Sequence, residues 1–306
     1  MIGRVTQQTV QRSTLANLQT NLSAMAALQG KLSSTKNITR PSDDPAGTSS
    51  AIALRSALRA NEQHARNISD GDGWLTNVDS ALRGSLDALR QARDLTVQGS
   101  NQGVLNAQAR EALAVEIEGL RDALLNQANT SYLGRSVFAG TSDAASAVTV
   151  DTTTTPPSYT STSVTGASVE RRIDANTLVR VDVDGALAFG EDDPVTGTGS
   201  VFSTLDRIAA KLRANEPVSG ELTTLDEHRD AMLGQLTAVG ARQSQVQTAK
   251  LRALDTKTEL AGRLSTIEDV DLPGTIIELQ MQEVAYKSAL GAASRVLQPS
   301  LMDYLR

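Results

Sequence analysis

Residues 45–98 read PAGTSSAIALRSALRANEQHARNISDGDGWLTNVDSALRGSLDALRQARDLTVQ. Leu54, Leu58, Ala65, Ile68, Leu75, Leu82, Leu86 and Leu89 recur at helical spacing, and the phase does not slip across Asp70-Gly71-Asp72-Gly73. The spacing predicts one continuous helix, although each interior glycine costs about 1 kcal/mol against alanine. At about 1.5 Å per residue such a helix spans roughly 80 Å, far more than a compact domain uses. Asp44 and Pro45 set its start, because aspartate accepts hydrogen bonds from free amides and proline is tolerated at the first helical position. Pro41 disfavours helix at Arg40, so Pro41, Ser42, Asp43, Asp44 and Pro45 read as a joint. Asp79, Arg83 and Asp87, and likewise Arg90 and Asp94, stand four apart and mark the solvated face.

Working outward, both ends of the chain carry apolar stripes of their own. Leu15, Leu18, Leu22, Met25 and Leu32 step by three and four residues, and so do Ile276, Leu279, Tyr286, Leu290, Ala293, Leu297, Leu301 and Tyr304. This is the spacing of a helix seam. Chain ends normally fray, so two patterned ends predict helices that pack on each other or on another subunit. Leu15, Leu18, Leu22, Met25, Leu32, Leu290, Leu297 and Leu301 are the candidate intersubunit contacts, and 41–45 the joint between terminal helices and rod.

Downstream of the long helix, Gly99-Ser100-Asn101-Gln102-Gly103 reads as a turn, and Leu113, Ile117, Leu120 and Leu124 place a third helix antiparallel to the second. Tyr132 to Gly140 reads as a short strand or turn. From 141 to 200 the composition shifts to Thr, Ser, Gly and Asp; Leu178–Val183, Asp184-Gly185 and Ala186–Phe189 predict a hairpin with a two-residue turn. The reading is a small β-rich insertion, and the polar run 141–168 leaves a flexible linker as the alternative. Helix returns at Phe202, Leu205, Ile208 and Leu212. A long register follows through Leu222, Leu225, Arg229, Met232, Leu236, Val239, Gln243, Val246, Lys250 and Ala253, with a break at 269–274.

The expected architecture is therefore mainly α, an elongated bundle of long antiparallel helices made from both chain ends, with a small β-rich domain inserted in the middle. Residues 1–40 and 272–306 form terminal coiled-coil helices, 41–140 and 201–271 a helical rod, and 141–200 the insertion.

Composition agrees with thin helical packing: 306 residues, 40% hydrophobic, 3% aromatic and a single tryptophan, Trp74. The absence of cysteine excludes disulfides and zinc–thiolate sites. MIGRVTQQTVQRS lacks the apolar run of a cleaved signal peptide, and no apolar stretch approaches the roughly 20 residues of a membrane span. A net charge of -6 with dispersed basic residues gives no reason to expect nucleic acid, and Lys31 and Lys36 do not make the basic face of a membrane-surface helix. His64 and His228 have no ligand-spaced partner and read as exposed helical residues; Asp43 and Asp44 read as caps rather than an acid pair or metal site. Gly197-Thr198-Gly199 lacks the lysine of a phosphate loop. No catalytic residue, cofactor or metal is expected, which leaves an assembly component.

Asn37-Ile38-Thr39-Arg40-Pro41-Ser42-Asp43-Asp44-Pro45-Ala46-Gly47, with Leu32-Ser33-Ser34 before it and Arg66-Asn67-Ile68-Ser69-Asp70 after it, resembles the N-terminal signature of the bacterial flagellin family. Arg40-Pro41-Ser42, Asn129 to Thr141, Ser265 to Leu272 and the close Ala293 to Arg306 look like its hook–filament junction branch, since filament subunits typically carry another tripeptide before the Asp pair. The resemblance covers about 1–141 and 220–306; Gln29 on the first seam and the missing Asn-Gly-Thr at 99–104 depart from it. It implies a non-enzymatic subunit, secreted unfolded through the flagellar type III channel to the distal end of the hook. Implied partners are other copies of itself in a ring, the first hook–filament junction protein, filament flagellin and an export chaperone. A filament flagellin and a cytoplasmic coiled-coil scaffold are the rival readings.

Overall fold

The computed structural model describes residues 7–101, 105–154, 156–164, 166–193 and 199–296, with side chains from 9 to 294. In chain order its elements are α1 (Gln7–Ser34), α2 (Pro45–Gly99), α3 (Ala107–Ala128), β1 (Ser131–Tyr132), β2 (Arg135–Ser136), β3 (Val148–Asp151), β4 (Ser158–Ser161), β5 (Glu170–Arg172), β6 (Leu178–Arg180), α4 (Gly185–Phe189), α5 (Val201–Ala214), α6 (Glu221–Glu268) and α7 (Leu272–Val296). The fold is mainly α, with the strands confined to the middle. The described residues pack as two units, one up to Ala60 and from Thr256 on, the other Asn61–Asp255.

In the Asn61–Asp255 unit the kept phase of α2 is realised. The helix is unbroken from Pro45 to Gly99, and Ile68, Leu75, Leu82, Leu86 and Leu89 are buried in one core with Leu113, Ile117 and Leu124 of α3. Helix α5 adds Phe202, Leu205, Ile208 and Leu212, and α6 adds Leu225, Met232, Val239 and Val246 at heptad spacing. Capping fixes the ends: Asn106 accepts from the Ala109 amide at 2.8 Å, Ser200 accepts from the Ser203 amide at 3.1 Å, and Asn215 closes α5 in the left-handed region. Arg121 pairs with Asp206 across α3 and α5, and Tyr159 Oη donates to the same carboxylate at 2.7 Å.

The strands form three separate antiparallel pairs, β1–β2, β3–β4 and β5–β6. In the first, Leu133 (φ 49°) and Gly134 (φ 79°) are both left-handed, which is the backbone a two-residue hairpin turn demands. The hairpin expected at 178–189 is not present. Strand β6 pairs instead with β5, and Ala186–Phe189 belong to α4, where the Asp184 side chain accepts from the Ala186 amide at 3.0 Å. Aspartate serves a helix cap as readily as a turn. What selects the cap is Phe189, which α4 carries onto Phe138 (5.1 Å between centroids) and Phe202 (5.9 Å).

The insertion is not a loose linker where it is described. Val148, Tyr159, Val169, Val179, Val181 and Val183 are buried in the same core as α2. Arg171 donates to Asp70 at 2.6 Å and lies 5.9 Å over the Trp74 ring, while Asn67 donates to the Arg172 carbonyl and Arg242 to the Asp182 carbonyl, both at 2.9 Å. The close approach explains the two glycines inside α2. A Cβ at Gly71 would stand 3.2 Å from Val181 Cγ1, and one at Gly73 only 2.4 Å from Tyr132 Oη.

His228 corrects the expectation of an exposed helical histidine: it is half-buried, 3.4 Å from Thr204 Oγ1. Burial, and then the nearby Arg207, push its pKa below the ordinary 6.5 against the pull of Asp192. The unfolded chain therefore takes up this proton before the folded one does, so the stability is fully present above 6.5 and is lost as pH falls through the lower folded value. Thermal melts between about pH 7 and pH 5 are expected to fall for the native protein and to fall less for His228→Gln. His64 is also half-buried, with Nδ1 enclosed.

Candidate assembly surface

In the other unit α1 packs on α7. Thr14, Leu18, Asn21, Met25, Leu28 and Leu32 are half-buried and share one face of α1 at helical spacing. On that face Asn21 accepts from Gln282 Nε2 of α7 at 3.3 Å. On α7 the covered positions include Leu279, Tyr286 and Ala293, with Thr275, Gln282, Glu283 and Ala289 beside them. The sequence-derived contacts therefore divide. Leu18, Met25 and Leu32 lie on the half-buried face of α1, whereas Leu15 and Leu22 are 56% and 47% exposed and Leu290 43%. Leu297 and Leu301 lie outside the described residues.

A further set was hidden in the sequence. Ile277, Met281 and Val284 are 58%, 62% and 63% exposed and fall on one line along α7 at i, i+4 and i+7. The doublet Ile276-Ile277 was the available signal, since two adjacent apolar residues cannot both point along one seam, and Ile276, expected on the seam, is itself 46% exposed.

The joint residues Pro41, Ser42, Asp43, Asp44 and Pro45 are exposed, and Asp43 and Asp44 hold the loop by hydrogen bonds. Asp43 Oδ2 accepts from the amides of Arg40 (2.8 Å) and Thr39 (3.1 Å) and from the Thr39 hydroxyl (2.9 Å). The Arg40 amide, followed by the Thr39 hydroxyl, holds the Asp43 carboxyl below its ordinary range. Asp44 Oδ1 accepts from Ala46 (3.1 Å) and Gly47 (2.9 Å), capping α2 as its sequence implies. A Cβ on Gly47 would lie 2.2 Å from the other Asp44 oxygen.

Behind this loop a short bridge joins residues distant in sequence. Thr35 turns left-handed at φ 56°, Asn37 donates its amide to the Glu268 carbonyl at 2.6 Å, and Val270 donates to the Thr35 carbonyl at 3.1 Å. The buried Glu268 carboxylate pairs with Arg55 at 2.8 Å and Lys36 at 3.6 Å, and Lys36 reaches Asp269 at 2.6 Å. The hydrogen bond from Lys36 holds the Asp269 carboxyl below its usual range. These contacts fix where α7 begins and orient its face toward α1. Among the described residues no three His, Cys, Asp or Glu side chains gather as a metal set, and no helix is long and apolar enough to cross a membrane.

Residues 5–143 match the bacterial flagellin N-terminal helical region. Flagellar hook-associated protein 3 of Escherichia coli strain K12 is 27% identical over 86% of this chain and 87% of its own length. Flagellin of Bacillus subtilis strain 168 is 26% identical over 93% of this chain and 91% of its own. The crystal structure of flagellar hook-associated protein-3 from Legionella pneumophila has the same fold, with a TM-score of 0.62 at 16% identity over 71% of this chain and 98% of that one. The chain thus matches the bacterial flagellin N-terminal helical region over residues 5–143 and is similar along most of its length to flagellar hook-associated protein 3.

Proposed function

We propose that this protein is a structural, non-enzymatic subunit of the bacterial flagellum that forms the junction between hook and filament by packing of its terminal helices. The observation that carries the reading is that α1 and α7 still expose Leu15, Leu22, Ile277, Met281, Val284 and Leu290 after packing on each other; of α6, Leu225, Met232, Val239 and Val246 are buried in the core, and Leu233, Leu251 and Leu254 are exposed. Each leucine moved from water into a subunit contact contributes roughly 1.5 to 3 kcal/mol. Most of a protein helix's stability comes from packing of its apolar face, so neighbouring copies both cover the apolar residues and hold the helices.

On this reading the chain is exported unfolded, reaches the distal end of the hook and forms a ring with other copies of itself. The first hook–filament junction protein lies on one side and filament flagellin on the other, and an export chaperone covers the C-terminal seam beforehand. Leu15, Leu18, Leu22, Met25, Leu32 and Leu290 contribute to the subunit contacts together with Leu297 and Leu301, and Pro41–Pro45 is the joint. Similarity to a flagellin along nearly the whole chain supports one rival, a filament subunit. Immunogold labelling of a tagged chain on isolated flagella separates the two. A narrow band at the hook end is the expected result, labelling along the whole filament selects flagellin, and absence from flagella overturns both.

A further inference from the structure

We propose that Glu268 is the pin of a strained latch set where α1 ends and α7 begins, and that opening it frees both terminal helices from α2 and α6 while the remaining helices stay folded. The proposal goes beyond the junction reading and stands apart from it, because every part of the latch belongs to one chain.

The pin is a buried charge shared by three segments. The Glu268 side chain is 5% exposed at the end of α6, and its carboxylate meets Arg55 of α2 at 2.8 Å and Lys36, just past α1, at 3.6 Å. Its carbonyl accepts the Asn37 amide at 2.6 Å, and Asn37 Oδ1 in turn accepts from Lys31 Nζ of α1 at 2.9 Å. Exposed ion pairs such as Lys36 with Asp269 contribute little. A buried carboxylate stripped of its cation is costly, and swinging out into water is how it escapes that cost. The setting of α1 and α7 therefore depends on whether Glu268 keeps its partners.

A spring works against the pin. Thr35 is left-handed at φ 56°, an outlier for a β-branched residue, and such strain persists only where the surroundings impose it. What imposes it is the bridge itself: Val270 donates its amide to the Thr35 carbonyl at 3.1 Å, beside the Asn37 bond to Glu268. Once the bridge parts, Thr35 relaxes to a right-handed or extended backbone. The relief favours opening and the pin favours closure, which makes the element two-state.

Room for the motion is already present. A cavity of about 280 Å³ lies beside the latch, lined by Ile38 and Pro41 of the loop, Thr48 and Ile52 of α2, and Glu268. Protein interiors are normally close-packed, yet here the Thr48 hydroxyl is enclosed with no partner and Ile52 stays 59% exposed. The loop is held by its ends rather than by its underside, through the bridge at 35–37 and the Asp43 turn.

Hydrogen exchange of the full chain, read by NMR at single amides, tests the latch. Arg55→Met strands the Glu268 carboxylate and is expected to speed exchange at Asn37 and Val270 at least about tenfold. Leu32 of α1 and Leu279 of α7 are expected to follow by a similar factor, with Ile117 of α3 and Val239 of α6, both in the core, unchanged. Adding Glu268→Gln to Arg55→Met removes the stranded charge and is expected to restore most of the protection. Thr35→Gly, which fits the left-handed backbone, is expected to slow exchange at Asn37 and Val270 by about threefold or more. Lys36→Met, a milder loss of charge, is expected to move the same amides by a smaller factor. The proposal is overturned if Arg55→Met and Lys36→Met leave Asn37 and Val270 unchanged, if Leu32 and Leu279 fail to follow them, if Ile117 and Val239 accelerate as much, or if Thr35→Gly speeds exchange. Each of these results is read on the unassembled chain and leaves the junction reading standing.

Discussion

Leu290→Asp is expected to leave the isolated chain folded and to abolish its incorporation into flagella. Leu290 lies on α7 and is 43% exposed, so in the free protein the new carboxylate sits in water. The helix loses only about 0.5 kcal/mol of intrinsic propensity. On the proposed junction reading a neighbour covers the same position in the assembly, and there the lost leucine burial of roughly 1.5 to 3 kcal/mol adds to a desolvation cost of several kcal/mol for an unpaired carboxylate. A deficit of about 4 kcal/mol per copy is already about a thousandfold in affinity, and on that reading every subunit carries it. Circular dichroism and thermal melts are expected to match the native protein, while cells swim poorly and flagella break off or end at the hook. Leu290→Met, which keeps volume and apolarity, is expected to assemble. Normal filaments in the Asp variant would remove α7 from the subunit contact.

Phe202→Ala is expected to cost about 3 to 5 kcal/mol. Phe202 is fully buried, 5.2 Å from Tyr159 and 5.9 Å from Phe189, which in turn meets Phe138 at 5.1 Å. The chain's three phenylalanines thus all meet in one cluster, drawn from the segment after β2, from α4 and from α5. Removing the ring leaves a cavity that three different elements line, and none can close it without abandoning the others. A midpoint lowered by about 10 °C in calorimetry follows from the usual scaling for a unit of this size. A loss below about 1 kcal/mol would mean that the cluster relaxes around the gap.

The long helices were legible because their information is local and repetitive. Eight apolar residues of α2 held one phase from Leu54 to Leu89, and Asp44-Pro45 spelled its start. The sequence also showed that Gly71 and Gly73 do not break the helix, but it did not show why they are there. Their reason is Val181 and Tyr132, far along the chain and brought close only by the fold. The same remoteness hid the insertion: its core is a few valines scattered among Thr and Ser, buried in the core that α2 shares with the other helices. Asp184-Gly185 failed as a turn because its local chemistry suits two structures, and contacts of Phe189 chose between them.

At the ends of the chain the apolar stripes were visible, yet their direction was not. A stripe at three-and-four spacing is broad enough to face two partners, and only the packed pair shows Leu18 and Met25 on the covered face and Leu15 and Leu22 outside it. The joint was the most legible part of the candidate site, because Asp43 and Asp44 act on amides within four residues of themselves.

Trp74 is the chain's sole indole, shielded under the Arg171 guanidinium and edge-on to Tyr132 at 6.0 Å. Ultraviolet light therefore excites one address, the seat of the inserted strands on their supporting helix. Its colour is a built-in gauge: blue while that seat is dry, red once the chain is threaded out into water, and blind to whatever the chain's two extremities are doing.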